Sequence, residues 1–184
     1  MRPRRLAAMA IALLWCVQSV YGALDYPLTV TLDARAQNAG TTVTSSVSIT
    51  VDRLMEPNRR TRVTDALKHG GYITFVPALR ALRPVGTIAL GKRMVEVRYA
   101  HEEPHSLGRR LVLVADRPLF FLGDPAKART GYELTIVELL VDDEGAVTGT
   151  MTGAARVKPD RDGAVVLDDY AEVLVQLTGH VRRR

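Results

Sequence analysis

Leu28-Thr29-Val30-Thr31-Leu32-Asp33-Ala34-Arg35-Ala36-Gln37 is the stretch that decides the fold class. Successive side chains of an extended chain point to opposite faces. Leu28, Val30, Leu32, Ala34 and Ala36 therefore share one face, and Thr29, Thr31, Asp33, Arg35 and Gln37 the other. Val43, Val47, Ile49 and Val51 repeat the alternation against Thr42, Thr44, Ser46, Ser48, Thr50 and Asp52, with Ser45 the one polar residue on the inner side. Between the runs, Asn38-Ala39-Gly40 supplies residues that tolerate positive φ. The pair reads as a hairpin with one dry and one wet face, as in an antiparallel sheet.

Downstream the period changes. Pro57-Asn58 opens a segment in which Val63, Ala66 and Leu67 share one side at helical spacing, and Gly70-Gly71 closes it as a C-cap does. A second short helix is expected over residues 74–83, with Thr74 as its cap, Pro77 in its first turn, Phe75 or Val76 with Leu79 and Leu82 as its apolar stripe, and Pro84 as its stop. From Val85 onward strands return. Residues 94–99 and 111–115 flank a polar connection at 101–109, and residues 132–141 pair with 147–157 across Asp142-Asp143-Glu144-Gly145. Residues 165–167 and 171–177 complete the meander. The small side chains of residues 148–154 imply close approach of another element or strong curvature. The sum is a mainly β (α+β) domain: an antiparallel β-sandwich or half-open barrel of about eight or nine strands with an inserted helical pair.

Working outward to the N-terminus, residues 1–23 have the layout of a secretory signal peptide: Arg2, Arg4 and Arg5, an apolar run over 6–17, and small residues at Gly22-Ala23. The run is short of the roughly 20 residues a spanning helix needs. Cleavage there leaves a chain without thiols, since Cys16 is the only cysteine, and Trp15 before it does not suit lipidation. Residues 24–179 then form one domain and 180–184 a basic tail ending Arg182-Arg183-Arg184. The formal charge of +5 falls to +2 without the leader, leaving 22 basic and 20 acidic residues. Its distribution is uneven. Residues 59–93 hold eight bases against Asp65 alone, whereas residues 133–172 hold ten acids and three bases.

His101-Glu102-Glu103-Pro104-His105 matches the H-E-x-x-H string of zinc proteases, which depends on a helix to bring two histidines one turn apart. Pro104 argues against that helix, and the third ligand would have to be His69 or His180. No nucleophile elbow, phosphate loop or dinucleotide fingerprint is present. Asp142-Asp143-Glu144 and Asp168-Asp169 fall at turns, where acids are ordinary, and Asp160-Arg161-Asp162-Gly163 lacks the remaining ligands of a calcium loop. Asp116-Arg117-Pro118 is a polar knot ending a buried strand. Arginines at a sheet edge suit carboxylates or phosphates, which makes Arg109, Arg110 and Arg117 candidate ligand contacts, together with Arg80 and Arg83. The aromatic residues do not interleave with the bases as a nucleic-acid platform requires.

Gly108-Arg109-Arg110 with the apolar run that follows it, then Asp116-Arg117-Pro118, residues 132–139 and Gln176-Leu177-Thr178-Gly179 together resemble an uncharacterised family of secreted bacterial proteins, over about residues 61–179. The resemblance implies one exported domain and transfers no activity, cofactor or site. We therefore expect an exported, non-enzymatic binding or envelope accessory protein, periplasmic or secreted. We expect no cofactor, no nucleic-acid partner, no transmembrane segment after cleavage, and an envelope or extracellular partner of unknown identity. Two alternatives remain. One is a carrier of an apolar or amphiphilic ligand in a barrel cavity, with residues 148–154 lining it and Arg80 and Arg83 at its mouth. The other is a zinc metallohydrolase using His101 and His105 as metal ligands.

Overall fold

A computed structural model describes residues 23–123 and 129–181. The expected leader with Cys16, and the terminal arginines 182–184, lie outside the described residues. In chain order the elements are β1 (Leu28–Asn38), β2 (Thr41–Val51), α1 (Pro57–Arg80), β3 (Gly86–Leu90), β4 (Arg93–His105), β5 (Gly108–Ala115), β6 (Leu134–Val141), β7 (Ala146–Pro159), β8 (Val165–Tyr170) and β9 (Val175–His180).

The opening hairpin forms in the register that its alternation demands, with Leu28 opposite Val51 and Asn38 opposite Thr41. Ala39 and Gly40 turn it at φ 47° and 82°. Every strand pairing is antiparallel, and the sheet runs β6-β5-β4-β3-β2-β1-β9-β7-β8 with a further β6–β7 pairing. That last pairing closes eight strands into a barrel and leaves β8 outside, on the half of β7 that β9 does not cover. A sandwich is thereby excluded, and the barrel is closed where a half-open one was considered.

The interior is packed with side chains. Leu32, Ile49, Ile88, Leu111, Leu113, Leu139 and Met151 are almost wholly buried there. A filled interior is what an eight-stranded barrel of this size accommodates.

The helical segment lies on the outside. Val63, Leu67, Phe75, Val76 and Leu79 of α1 pack on Tyr99, Val112, Val114, Leu134, Ile136, Ala155 and Val157 of the strands. This explains the contrast between strands. β1 alternates because its outer face meets water, whereas β5 and β6 are apolar on both faces because one fills the barrel and the other lies beneath α1. Each such buried side chain contributes about 1.5–3 kcal/mol.

The expected pair of helices is instead one element, kinked at Gly71, where φ 67° and ψ −166° depart from helical values. Glu56 occupies the N-cap position, and Thr74 donates its hydroxyl to the Gly70 carbonyl at 3.0 Å instead of capping a new helix. The helix stops at Arg80, three residues before the expected end. The polar connection at 101–109 is also corrected. β4 runs through His105 and β5 begins at Gly108, so only Ser106 and Leu107 turn the chain. Cross-strand ion pairs allow these charged residues to be strand, as described below.

Small residues in β7 do mark close approach. A Cβ on Gly153 would lie 1.9 Å from the Leu119 carbonyl oxygen, and one on Gly149 would lie 2.2 Å from that of Glu138. Thr148, Gly149 and Thr150 border an open cleft of about 260 Å³ shared with His105, Arg110 and Glu138, and the barrel interior that a carrier needs is occupied by the core.

Candidate functional site

Two clefts open beside the first turn of α1, both outside the barrel. The first has a volume of about 150 Å³, formed where the loops entering and leaving α1 meet β4. Leu54, Met55, Leu82 and Val85 give it an apolar floor, and Arg53, Arg59, Arg83 and Arg98 surround it. Its geometry starts from a defect in β4. The β4–β5 register slips between Val97 and Tyr99, so Arg98 occupies a β-bulge, the irregularity by which a strand re-aims a side chain.

Arg98 is an anchor. Its Nε donates to Asp116 Oδ2 at 2.7 Å and its Nη2 to Glu96 Oε2 at 2.7 Å, while Nη1 donates to the Leu82 carbonyl. One guanidinium thus ties the exit of α1 to β4 and to the end of β5. Arg53 adds a second tie, Nη2 to the Pro84 carbonyl at 3.0 Å, so the two loops hold each other. Arg59 pairs with Glu56 at 3.1 Å, and both are well exposed. Arg83 is exposed and has no ion-pair partner among the described residues. Glu56 offsets Arg59, and the Glu96 and Asp116 carboxylates offset Arg98, so the positive charge and free guanidinium donors of the cleft come from Arg53 and Arg83, which suits a carboxylate or phosphate.

The second cleft, about 350 Å³, lies between α1, β4 and the β7–β8 turn, and includes Arg60, Thr64, Lys68, Tyr99, His101 and Glu103. Arg60 Nη1 stands 2.7 Å from His101 Nδ1. A guanidinium only donates, so Nδ1 accepts and the imidazole is neutral. Burial, and then the Arg60 charge, lower the His101 pKa below its ordinary 6.5. The chain of contacts continues from His101 Nε2 to Glu103 at 3.7 Å, from Glu103 to Arg110 Nη1 at 2.5 Å, and from Arg110 Nη2 to Glu138 at 3.1 Å. It crosses α1, β4, β5 and β6 and balances its own charges. Beneath it, burial pushes the Tyr99 phenol up to about 12.

Of the arginines singled out in the sequence, Arg83 alone lines the first cleft. Arg80 donates to the Asp116 carbonyl at 3.4 Å nearby. Arg109 is committed to Glu102 at 2.5 Å in the end of the barrel, and Arg110 to Glu103 and Glu138 on its surface. Arg117 is exposed, and its carbonyl accepts the Thr135 hydroxyl at 2.9 Å. The Asp116 carboxylate pairs with Arg98, so the polar knot is a structural anchor.

His101 and His105 both lie in strand β4, four residues apart and so about 13 Å along the strand. The helical zinc geometry does not form, and among the described residues no cluster of three His, Cys, Asp or Glu side chains is placed to hold a metal. His105 Nδ1 instead accepts the Leu107 amide at 3.3 Å.

Sequence reasoning missed Arg53, Arg59 and Arg98 as cleft residues. The one available signal was a cation flanked by Val97 and Tyr99 inside a strand. No family model, curated protein or solved structure matches this chain.

Proposed function

We propose that the chain is an exported, non-enzymatic binding protein of the envelope or extracellular space, and that it receives an anionic group of its partner in the arginine cleft. The observation that carries this is the convergence of Arg53, Arg59 and Arg83, from both ends of α1, around an apolar floor held rigid by Arg98. A cleft of about 150 Å³ is smaller than the pockets that enclose whole ligands, and it fits a single carboxylate or phosphate on a larger molecule. The only carboxylate in its lining, Glu56, is held by Arg59, and nothing in that lining pairs a nucleophile with a base. The leader-like N-terminus and the resemblance to secreted proteins support export.

The test is calorimetric titration of inorganic phosphate and acetate into the protein and into Arg53→Ala/Arg83→Ala. Saturable binding that falls at least tenfold in the double variant is expected, since each charge-assisted hydrogen bond contributes about 1.5–3 kcal/mol. No saturable binding, or equal binding by the variant, overturns the proposal.

A further inference from the structure

We infer that the arginine cleft takes the phosphate of a phospholipid headgroup, and that the exposed face of α1 beyond its kink docks on a bilayer carrying anionic lipid. The inference rests on the anion-binding reading and names its source.

Ile73, Pro77 and Arg80 are exposed at i, i+4 and i+7 of α1, opposite the buried Phe75, Val76 and Leu79. Arg83 continues from that face into the cleft. Ile73 is 85% exposed, the most exposed large apolar side chain among the described residues. A lone exposed isoleucine is unremarkable on a protein surface. This one stands in the most basic segment of the chain, most of whose cations form no ion pair within 4 Å. Among the described residues its one salt bridge is Arg59–Glu56, leaving Arg62, Lys68, Arg80, Arg83, Lys92 and Arg93 without carboxylate partners.

Cations beside a protruding apolar side chain are what an anionic bilayer surface selects, the charges meeting headgroups and the apolar group entering the acyl boundary. A nucleic acid would favour aromatic platforms. Tyr72, the aromatic residue nearest Ile73 in sequence, is instead hydrogen-bonded to Glu133 and covered by Arg156. No helix among the described residues is long and apolar enough to cross a membrane, so the contact is peripheral.

The experiment is co-sedimentation of residues 24–184, which contain every strand of the barrel, with vesicles of phosphatidylcholine alone or mixed with phosphatidylglycerol. Phosphate titration is run in parallel. Binding should require phosphatidylglycerol and weaken with salt. It should fall roughly fivefold in Arg80→Ala, and about tenfold or more in Ile73→Asp, whose phosphate affinity and thermal midpoint stay unchanged. Phosphate binding without vesicle binding overturns the bilayer inference and leaves the anion-binding reading standing; loss of both overturns both. Vesicle binding that ignores lipid charge or Ile73→Asp, or single-stranded RNA bound as tightly by Ile73→Asp as by the parent, also overturns it.

Discussion

Glu102 and Arg109 face each other across the β4–β5 hairpin at 2.5 Å, with the Glu102 side chain only 1% exposed. Glu102 also accepts the Tyr26 hydroxyl at 2.8 Å and the Leu24 amide at 3.2 Å, so the segment before β1 closes over an ion pair at the barrel end. Removing one partner of a buried pair leaves the other charge uncompensated. Glu102→Ala should therefore lower stability by about 3–5 kcal/mol, whereas Glu102→Met/Arg109→Leu should recover most of it. Denaturant unfolding of the three proteins checks this.

His101 gives a pH dependence whose sign follows from its depressed pKa. Between that value and the ordinary 6.5 the unfolded chain binds more protons than the folded one, so stability rises with pH there. The contribution is complete above 6.5 and is lost as pH falls toward the folded value. His101→Asn should flatten the acid limb of the stability profile; a limb of unchanged shape would contradict the Arg60–His101 geometry.

Gly153 lies against the loop before β6, where the Leu119 amide donates to the Gly153 carbonyl at 3.0 Å. A Cβ there would meet a carbonyl oxygen and carbon at 1.9 and 2.4 Å, and backbone cannot yield as a side chain can. Gly153→Ala should cost about 1–3 kcal/mol and speed amide exchange at Leu119. A thermal midpoint equal to the parent's would show that the loop is not held there.

Gly71 adopts φ 67° and ψ −166°, a conformation essentially restricted to glycine. No heavy atom lies within 4 Å of where its Cβ would stand, so Gly71→Ala tests backbone strain alone. We expect a loss of about 1–3 kcal/mol, read by thermal unfolding.

Much of the fold was legible in particular residues. The alternation of β1 and β2 marked a wet outer face, and the β6–β7 hairpin followed from Asp142-Asp143-Glu144-Gly145 between two runs. Barrel closure was not legible, because it depends on β9 reaching both β7 and β1, with Leu32 opposite Gly179. No local pattern encodes that pairing. His101 to His105 read as a loop because charge and Pro104 outweighed alternation, although Glu102 and Arg109 are inward-facing partners and Glu103 and Arg110 outward-facing ones. The cleft was visible only as Arg83. Its other members depend on a bulge at Arg98 and on two loops meeting, both tertiary facts.

The arginine cleft is tested most directly by following guanidinium Nε–Hε signals in nuclear magnetic resonance spectra while inorganic phosphate is added. Saturable shifts at Arg53, Arg59 and Arg83, with Arg109 and Arg110 unmoved in their ion pairs, are the expected result. Shifts spread over all exposed arginines without saturation would contradict a site in that cleft.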